Sequence, residues 1–109
     1  MKRLGLIGFG QFGQLAASVL KDHFDVLVSD PAPGAAERAR DLGVGFGRLE
    51  DAAACEVVVV AVPVAAMREV LAAIAPHLKP GALVVDVGSV KTLPARWMAE
   101  LLTADVDIV

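Results

Sequence analysis

Apolar residues recur along this chain in two alternating rhythms. Residues 2–8, 25–30, 56–62 and 82–87 are short apolar runs, with V-V-V-V-A-V inside the third the strongest of them. Runs of this kind predict strands buried on both faces, since a half-exposed strand would alternate apolar with polar positions. Between them, apolar positions return every three or four residues, the period of a helix with one buried stripe. Phe12, Leu15, Ala16, Val19, Leu20 and Phe24 mark a helix over 11–24. Ala35, Ala36, Ala39 and Leu42 mark a second over 34–42, with Glu37, Arg38 and Arg40 opposite and Gly43 placed to cap it. Met67, Val70, Leu71, Ile74 and Leu78 mark a helix after Pro63, which Lys79-Pro80-Gly81 stops. Leu93, Trp97, Met98, Leu101 and Leu102 mark a fourth main helix. Weaker signals suggest a strand at 44–46, a helical turn at 50–54 and the opening of a sixth strand at 107–109.

Strands that are apolar throughout and alternate with helices predict an α/β fold, a doubly wound parallel sheet with helices on both faces. A length of 109 residues suits a single domain. The last run opens a strand that the sequence does not complete, so the fold is expected to stop at or in its sixth strand.

Composition narrows the function. The chain is 56% hydrophobic and 21% charged, too apolar for a disordered segment. A formal net charge of −3 lacks the basic footprint of a general nucleic-acid binder. Its longest apolar stretch, 57–67, is interrupted by Pro63 and falls short of the roughly 20 residues a membrane span needs. The basic start M-K-R leads into an apolar segment punctured by Gly5, Gly8 and Gly10, which is a poor export signal. One cysteine, Cys55, forms no internal disulfide, and the two histidines, His23 and His77, form no metal cluster with it. A reducing, cytoplasmic setting is expected.

The chemistry-bearing motif lies where the first strand gives way to the first helix. Gly8-Phe9-Gly10-Gln11-Phe12-Gly13 reads G-x-G-x-x-G, and Asp30 closes the second strand about 20 residues on, as a ribose-binding acid does. Gly8 permits the tight turn, Gly10 lets the main chain approach a pyrophosphate, and Gly13 lets helix and sheet pack closely. The helix N-terminus adds free N–H donors and a partial positive charge. The whole constellation predicts a Rossmann-type NAD site, with Asp30 on the adenosine ribose disfavouring the 2′-phosphate of NADP. The competing readings are a merely tight connection for the glycines and a solvated acid before Pro31 for Asp30. After the fourth strand, Val62-Pro63 either walls the cofactor pocket or simply ends the strand. After the fifth, Asp86 is read as an acid bonding loop N–H groups, while Ser89 caps a helix or faces a ligand together with Lys91.

Gly-Leu-Ile-Gly-Phe-Gly-Gln-Phe-Gly at 5–13, Val62-Pro63 and Val-Asp-Val-Gly-Ser-Val-Lys at 85–91 together resemble the prephenate/arogenate dehydrogenases of tyrosine biosynthesis. The glycine loop is widely shared among dehydrogenases, and the D-x-x-S-x-K element is the more specific part. The resemblance covers essentially the whole chain, as the cofactor-binding domain alone. It implies oxidative decarboxylation, in which NAD+ takes a hydride from the ring C4 of prephenate or arogenate as carbon dioxide leaves. It gives Ser89 the task of bonding the C4 hydroxyl and orienting a catalytic histidine, and it matches Lys91 to the family's lysine. That histidine belongs to a Thr-His-Pro segment after the sixth strand, and neither His23 nor His77 matches it. The helical domain that completes the substrate pocket and the homodimer is likewise outside this sequence, so the chain alone is expected to bind NAD without turnover. Two other classes share the glycine loop: the NAD-sensing regulatory domains of potassium channels and transporters, and the β-hydroxyacid and imine-type reductases, which also share Val-Pro.

Overall fold

The computed structural model describes residues 1–86, in which five parallel strands form one sheet of order β3-β2-β1-β4-β5. The strands are β1 Arg3–Ile7, β2 Asp25–Ser29, β3 Gly45–Phe46, β4 Val57–Val60 and β5 Leu83–Asp86. The helices are α1 Gln11–Leu20, α2 Ala35–Leu42, α3 Leu49–Ala53 and α4 Val64–Ile74. The chain therefore winds outward from β1 through β2 to β3, then crosses back to lay β4 on the other side of β1. The expected doubly wound α/β sheet is present. The predicted helix over 93–102, the strand opening at 107–109, Ser89 and Lys91 lie outside the described residues.

Successive residues of a strand point to opposite faces, and both faces here are covered. Leu4, Leu6, Val26, Val28, Val57 and Val59 join one buried cluster with Ala16, Ala17 and Leu20 of α1 and Ala35 and Ala39 of α2. Ile7, Val58 and Val60 join the other, with Ala52 and Ala53 of α3 and Ile74 of α4. Burial on both faces is why β4 is an unbroken run of valine. Gly5 shows how tightly α3 lies on β1: a Cβ there would run into the backbone carbonyl of Ala52.

Several boundaries and faces differ from the sequence expectation. The first helix ends at Leu20 instead of running to 24. The N–H groups of His23 and Phe24 both turn back onto the Leu20 carbonyl at 2.9 Å, and Asp25 N–H then reaches the Lys2 carbonyl at 2.9 Å. This turn sets β2 beside β1, and a longer helix would have carried the chain past that register. Leu15, expected in the buried stripe, is 44% exposed. Ala16 and Leu20 are buried as expected, and Gly13 and Ala17 complete the face; Gly13, Ala16 and Ala17 are small residues that bring the helix close to the sheet. Ala36 and Leu71 are also exposed, displaced from the faces that Ala35 and Ile74 bury. Leu78 lies beyond α4 altogether, after a 3-10 turn at Ala75–His77 that contains Pro76, yet it still packs against the second cluster. Gly43 caps α2 in the left-handed conformation, as expected.

Candidate functional site

With the strand order reversing at β1, the loops after β1 and β4 part and leave a crevice at the carboxyl ends of the strands, where open α/β sheets hold ligands. A cleft of about 590 Å³ occupies this place, lined by the glycine loop at 8–13 together with Asp30, Pro31, Ala61, Val62, Pro63, Ala66 and Val70. A second cavity of about 470 Å³ shares Gly8, Asp30, Pro31, Val62 and Val70 with it and continues past Ser29 to Phe46, Gly47 and Arg48. Together they form a trough along the ends of β4, β1, β2 and β3. Every site residue expected within residues 1–86 lines it. His23 and His77 are exposed and line neither cavity, and Arg38 and Arg40 are exposed on α2.

The three glycines of the loop are glycines for different reasons. Gly8 has φ +101°, and a Cβ on it would fall 2.5 Å from the Ala61 carbonyl oxygen. Here the glycine serves both the turn and the close passage of the β4 loop. Gly13 faces inward, where a Cβ would overlap the Gly8 carbonyl. Gly10 has an ordinary extended backbone, φ −73° and ψ −163°. A Cβ on it would meet nothing within 4 Å. Neither strain nor a protein neighbour demands glycine at that position, and its bare face borders the cleft. It is a place a Cβ would fill and that a ligand can use.

Gly10 is also the N-cap of α1, with no side-chain capping bond and no acidic residue in the first turn. The first amides of a helix have no partner within it, so the cleft receives N–H donors and an uncompensated positive end. That donor set suits a pyrophosphate.

Asp30 stands across the loop from this helix end and is held in place. Its Oδ2 accepts the Phe9 N–H at 2.6 Å and its Oδ1 the Ala32 N–H at 2.7 Å. An ionised carboxylate accepts about four hydrogen bonds, so capacity remains for sugar hydroxyls. Phe9 offers the cleft only backbone, because its ring is 1% exposed and belongs to the core under α1. Val62 is half-buried and Pro63 exposed, and with Ala66 and Val70 they give the cleft an apolar wall.

Sequence reasoning missed the far wall and one polar neighbour. Phe46, Gly47 and Arg48 enter because β3 lies beside β2 and ends level with it, Leu27 opposite Gly45 and Val28 opposite Phe46. The rule that ligands sit at strand ends, applied to the weak strand as well, would have found them. Arg48, at the rim, pairs with Glu50 at 3.2 Å and Asp51 at 3.6 Å on the exposed surface. The helical spacing gives Gln14 no role of its own, but its Nε2 donates to the Phe9 carbonyl at 3.1 Å.

Comparison with known proteins agrees with this geometry. The family described as "Prephenate dehydrogenase, nucleotide-binding domain" matches residues 15–109. Cyclohexadienyl dehydrogenase of Zymomonas mobilis is 38% identical over 108 residues, which cover 93% of this chain and 37% of that protein. Among solved structures, prephenate dehydrogenase from A. aeolicus in complex with hydroxyphenyl propionate and NAD+ superposes with a TM-score of 0.70 at 25% identity, covering 94% of this chain and 38% of that one. Mycobacterium tuberculosis 3-hydroxyisobutyrate dehydrogenase gives a TM-score of 0.72 at 25% identity, covering 92% and 37%. The chain thus spans less than two fifths of the length of each of these relatives.

Proposed function

The chain belongs to the prephenate dehydrogenase family, whose nucleotide-binding domain it matches, and on that premise we propose that it is the NAD-holding part of an enzyme that oxidatively decarboxylates prephenate or arogenate. The observation that carries the nucleotide reading is the bare face of Gly10 beside the cleft, at the head of α1. The amides at the start of α1 hold the pyrophosphate, and Gly10 admits it to contact distance. Asp30 accepts hydrogen bonds from the adenosine ribose hydroxyls through the capacity that the Phe9 and Ala32 amides leave open. The same negative charge disfavours a 2′-phosphate, so NAD+ is preferred over NADP+. Val62 and Pro63 supply an apolar wall that excludes water from one side of the bound group.

When bound, NAD+ supplies the hydride acceptor for the substrate's ring C4. Ser89 and Lys91 carry the substrate side of the proposal on the D-x-x-S-x-K motif, with Ser89 bonding the C4 hydroxyl. The remainder of the substrate pocket, the catalytic histidine, the homodimer contact and the cytoplasmic setting are proposed by family resemblance for the complete enzyme. The same cofactor fold serves 3-hydroxyisobutyrate dehydrogenase, but the family match favours the prephenate reading over a hydroxyacid dehydrogenase and over a regulatory NAD sensor.

Calorimetric titration of the chain with NAD+ and NADP+ tests the cofactor assignment. NAD+ binds more tightly if Asp30 holds the ribose. Equal or stronger NADP+ binding removes that role from Asp30, and failure of both to bind removes the nucleotide site.

A further inference from the structure

The two peptide units on either side of the Phe9 Cα are each tied by a side chain from elsewhere in the fold. Asp30 Oδ2 accepts the N–H of the Gly8–Phe9 peptide at 2.6 Å, and Gln14 Nε2 donates to the carbonyl of the Phe9–Gly10 peptide at 3.1 Å. Between them the Phe9 ring is locked in the core. Just upstream, Gly8 N–H reaches the Ser29 carbonyl at 2.9 Å. A glycine-rich loop left to itself has more conformational freedom to lose than any other segment. This one is fixed on both sides of its middle residue before any ligand arrives.

We propose that Gln14 and Asp30 form a clamp on the Phe9 backbone that sets the glycine loop in its phosphate-receiving shape. Gln14 is thereby a positioning residue for the nucleotide site, and Asp30 has a second task besides the ribose. The chemistry of the two ends is complementary. An amide N–H donor is required at the Phe9 carbonyl, which Gln provides and a carboxylate does not. An acceptor is required at the Phe9 N–H, which the carboxylate provides with charge-assisted strength. The geometry also accounts for the position of Gln14: one turn into α1, its backbone N–H closes the helix on the Gly10 carbonyl at 2.9 Å while its side chain reaches back over the loop. The consequence for binding rests on the nucleotide reading above, whereas the clamp itself is a property of the ligand-free chain. Ligand affinity then gains from a loop that does not have to be ordered on binding.

Gln14→Met and Asp30→Ala, made in the full chain, separate the two. Met keeps the length and the helix propensity of Gln and deletes the donor. Amide hydrogen exchange of the ligand-free protein is followed at residues 8–13, with Val58 and Val59 of β4 as internal reference. Gln14→Met should speed exchange of the Phe9 amide about three- to tenfold, the factor one net hydrogen bond is worth. Asp30→Ala should speed the Phe9 amide by at least about tenfold, as loss of a charge-assisted bond does. Val58 and Val59 should not change in either variant. Unchanged exchange at Phe9 in both variants overturns the clamp, and so does an equal acceleration at Val58 and Val59, which would mean general destabilisation. In titrations, Gln14→Met should weaken NAD+ and NADP+ by a common factor of about three to ten and leave their ratio unaltered. Altered exchange with undiminished NAD+ affinity would retain the clamp as a structural device and refute its role in positioning. Failure of the unsubstituted chain to bind either dinucleotide would instead count against the nucleotide reading, and the exchange result would stand apart from it.

Discussion

Replacing Gly10 by alanine should leave the fold intact and disable the cleft, whereas the same replacement at Gly13 should do damage to the fold itself. At Gly10 the backbone lies at φ −73°, which any residue adopts, and the new Cβ meets nothing within 4 Å. Alanine stabilises a glycine position of compatible backbone by about 0.4–1 kcal/mol through the unfolded chain. As an N-cap it is worse than glycine by a similar amount. The two terms nearly cancel, so the unfolding midpoint in urea should shift by no more than the equivalent of about 1 kcal/mol. Affinity behaves differently. A methyl group on the bare face keeps a phosphate from its charge-assisted bonds to the helix amides, each worth about 1.5–3 kcal/mol. Losing one of them weakens NAD+ binding roughly 10- to 150-fold. At Gly13 the Cβ would overlap the Gly8 carbonyl, a backbone atom that gives way only if α1 lifts from the sheet. Overpacking of that sort costs about 1–3 kcal/mol or more. Urea unfolding and calorimetric titration of both variants read the two effects separately. A Gly10→Ala protein that binds NAD+ as tightly as the parent would refute the assignment of this face to a phosphate.

Other positions give sharp expectations. Gly5→Ala drives a Cβ into the Ala52 carbonyl and should lower the urea midpoint by the equivalent of about 1–3 kcal/mol or more, without weakening NAD+ binding by the folded fraction; a midpoint equal to the parent's would show that α3 does not rest on β1 as described. Burial pushes the Cys55 thiol above its ordinary value, so the folded chain keeps this proton longer than the unfolded one, and the associated stability is complete below the unfolded value of about 8.5 and falls as pH rises above it. Urea midpoints at pH 7 and pH 10 should therefore drop further for the parent than for Cys55→Ala, and equal drops would remove the thiol as the cause.

The apolar rhythm carried the architecture because the central strands β1 and β4 are buried on both faces. A run such as Val57–Val60 leaves little else for the chain to form. The helix faces were less legible. The buried face of α1 is built from Gly13, Ala16 and Ala17, and small residues give a weak hydrophobic signal although they determine how closely the helix approaches. The eye then falls on Leu15, which is exposed. The end of α1 is set by tertiary pairing of β2 with β1, which no residue between 21 and 24 announces as a glycine or proline would. In the site, the glycine loop and Asp30 were readable because their spacing is fixed by the covalent path from β1 through α1 to β2. Gln14 and Arg48 were not, since their roles depend on where a side chain reaches and on which strand lies next to β2.

The family match begins at residue 15, after the last glycine of the loop. Two lines of evidence therefore arrive at the cleft from different residues. The loop at 8–13 speaks through local geometry: a bare glycine, an uncapped helix start and an acid bonded across from β2. Residues 15–109 speak through family membership, and they include Asp30, Val62 and Pro63, which meet the loop in the same cavity. Had the loop been a tight connection and nothing more, Gly8 and Gly13 would still be required by their contacts, but Gly10 would be held only by its modest preference as an N-cap. Had the family match reflected only a shared sheet, nothing would require its acid to stand beside the glycine loop. The proposed nucleotide site therefore rests on Gly10 and Asp30 together, and that proposal is independent of where along the chain the substrate chemistry is completed.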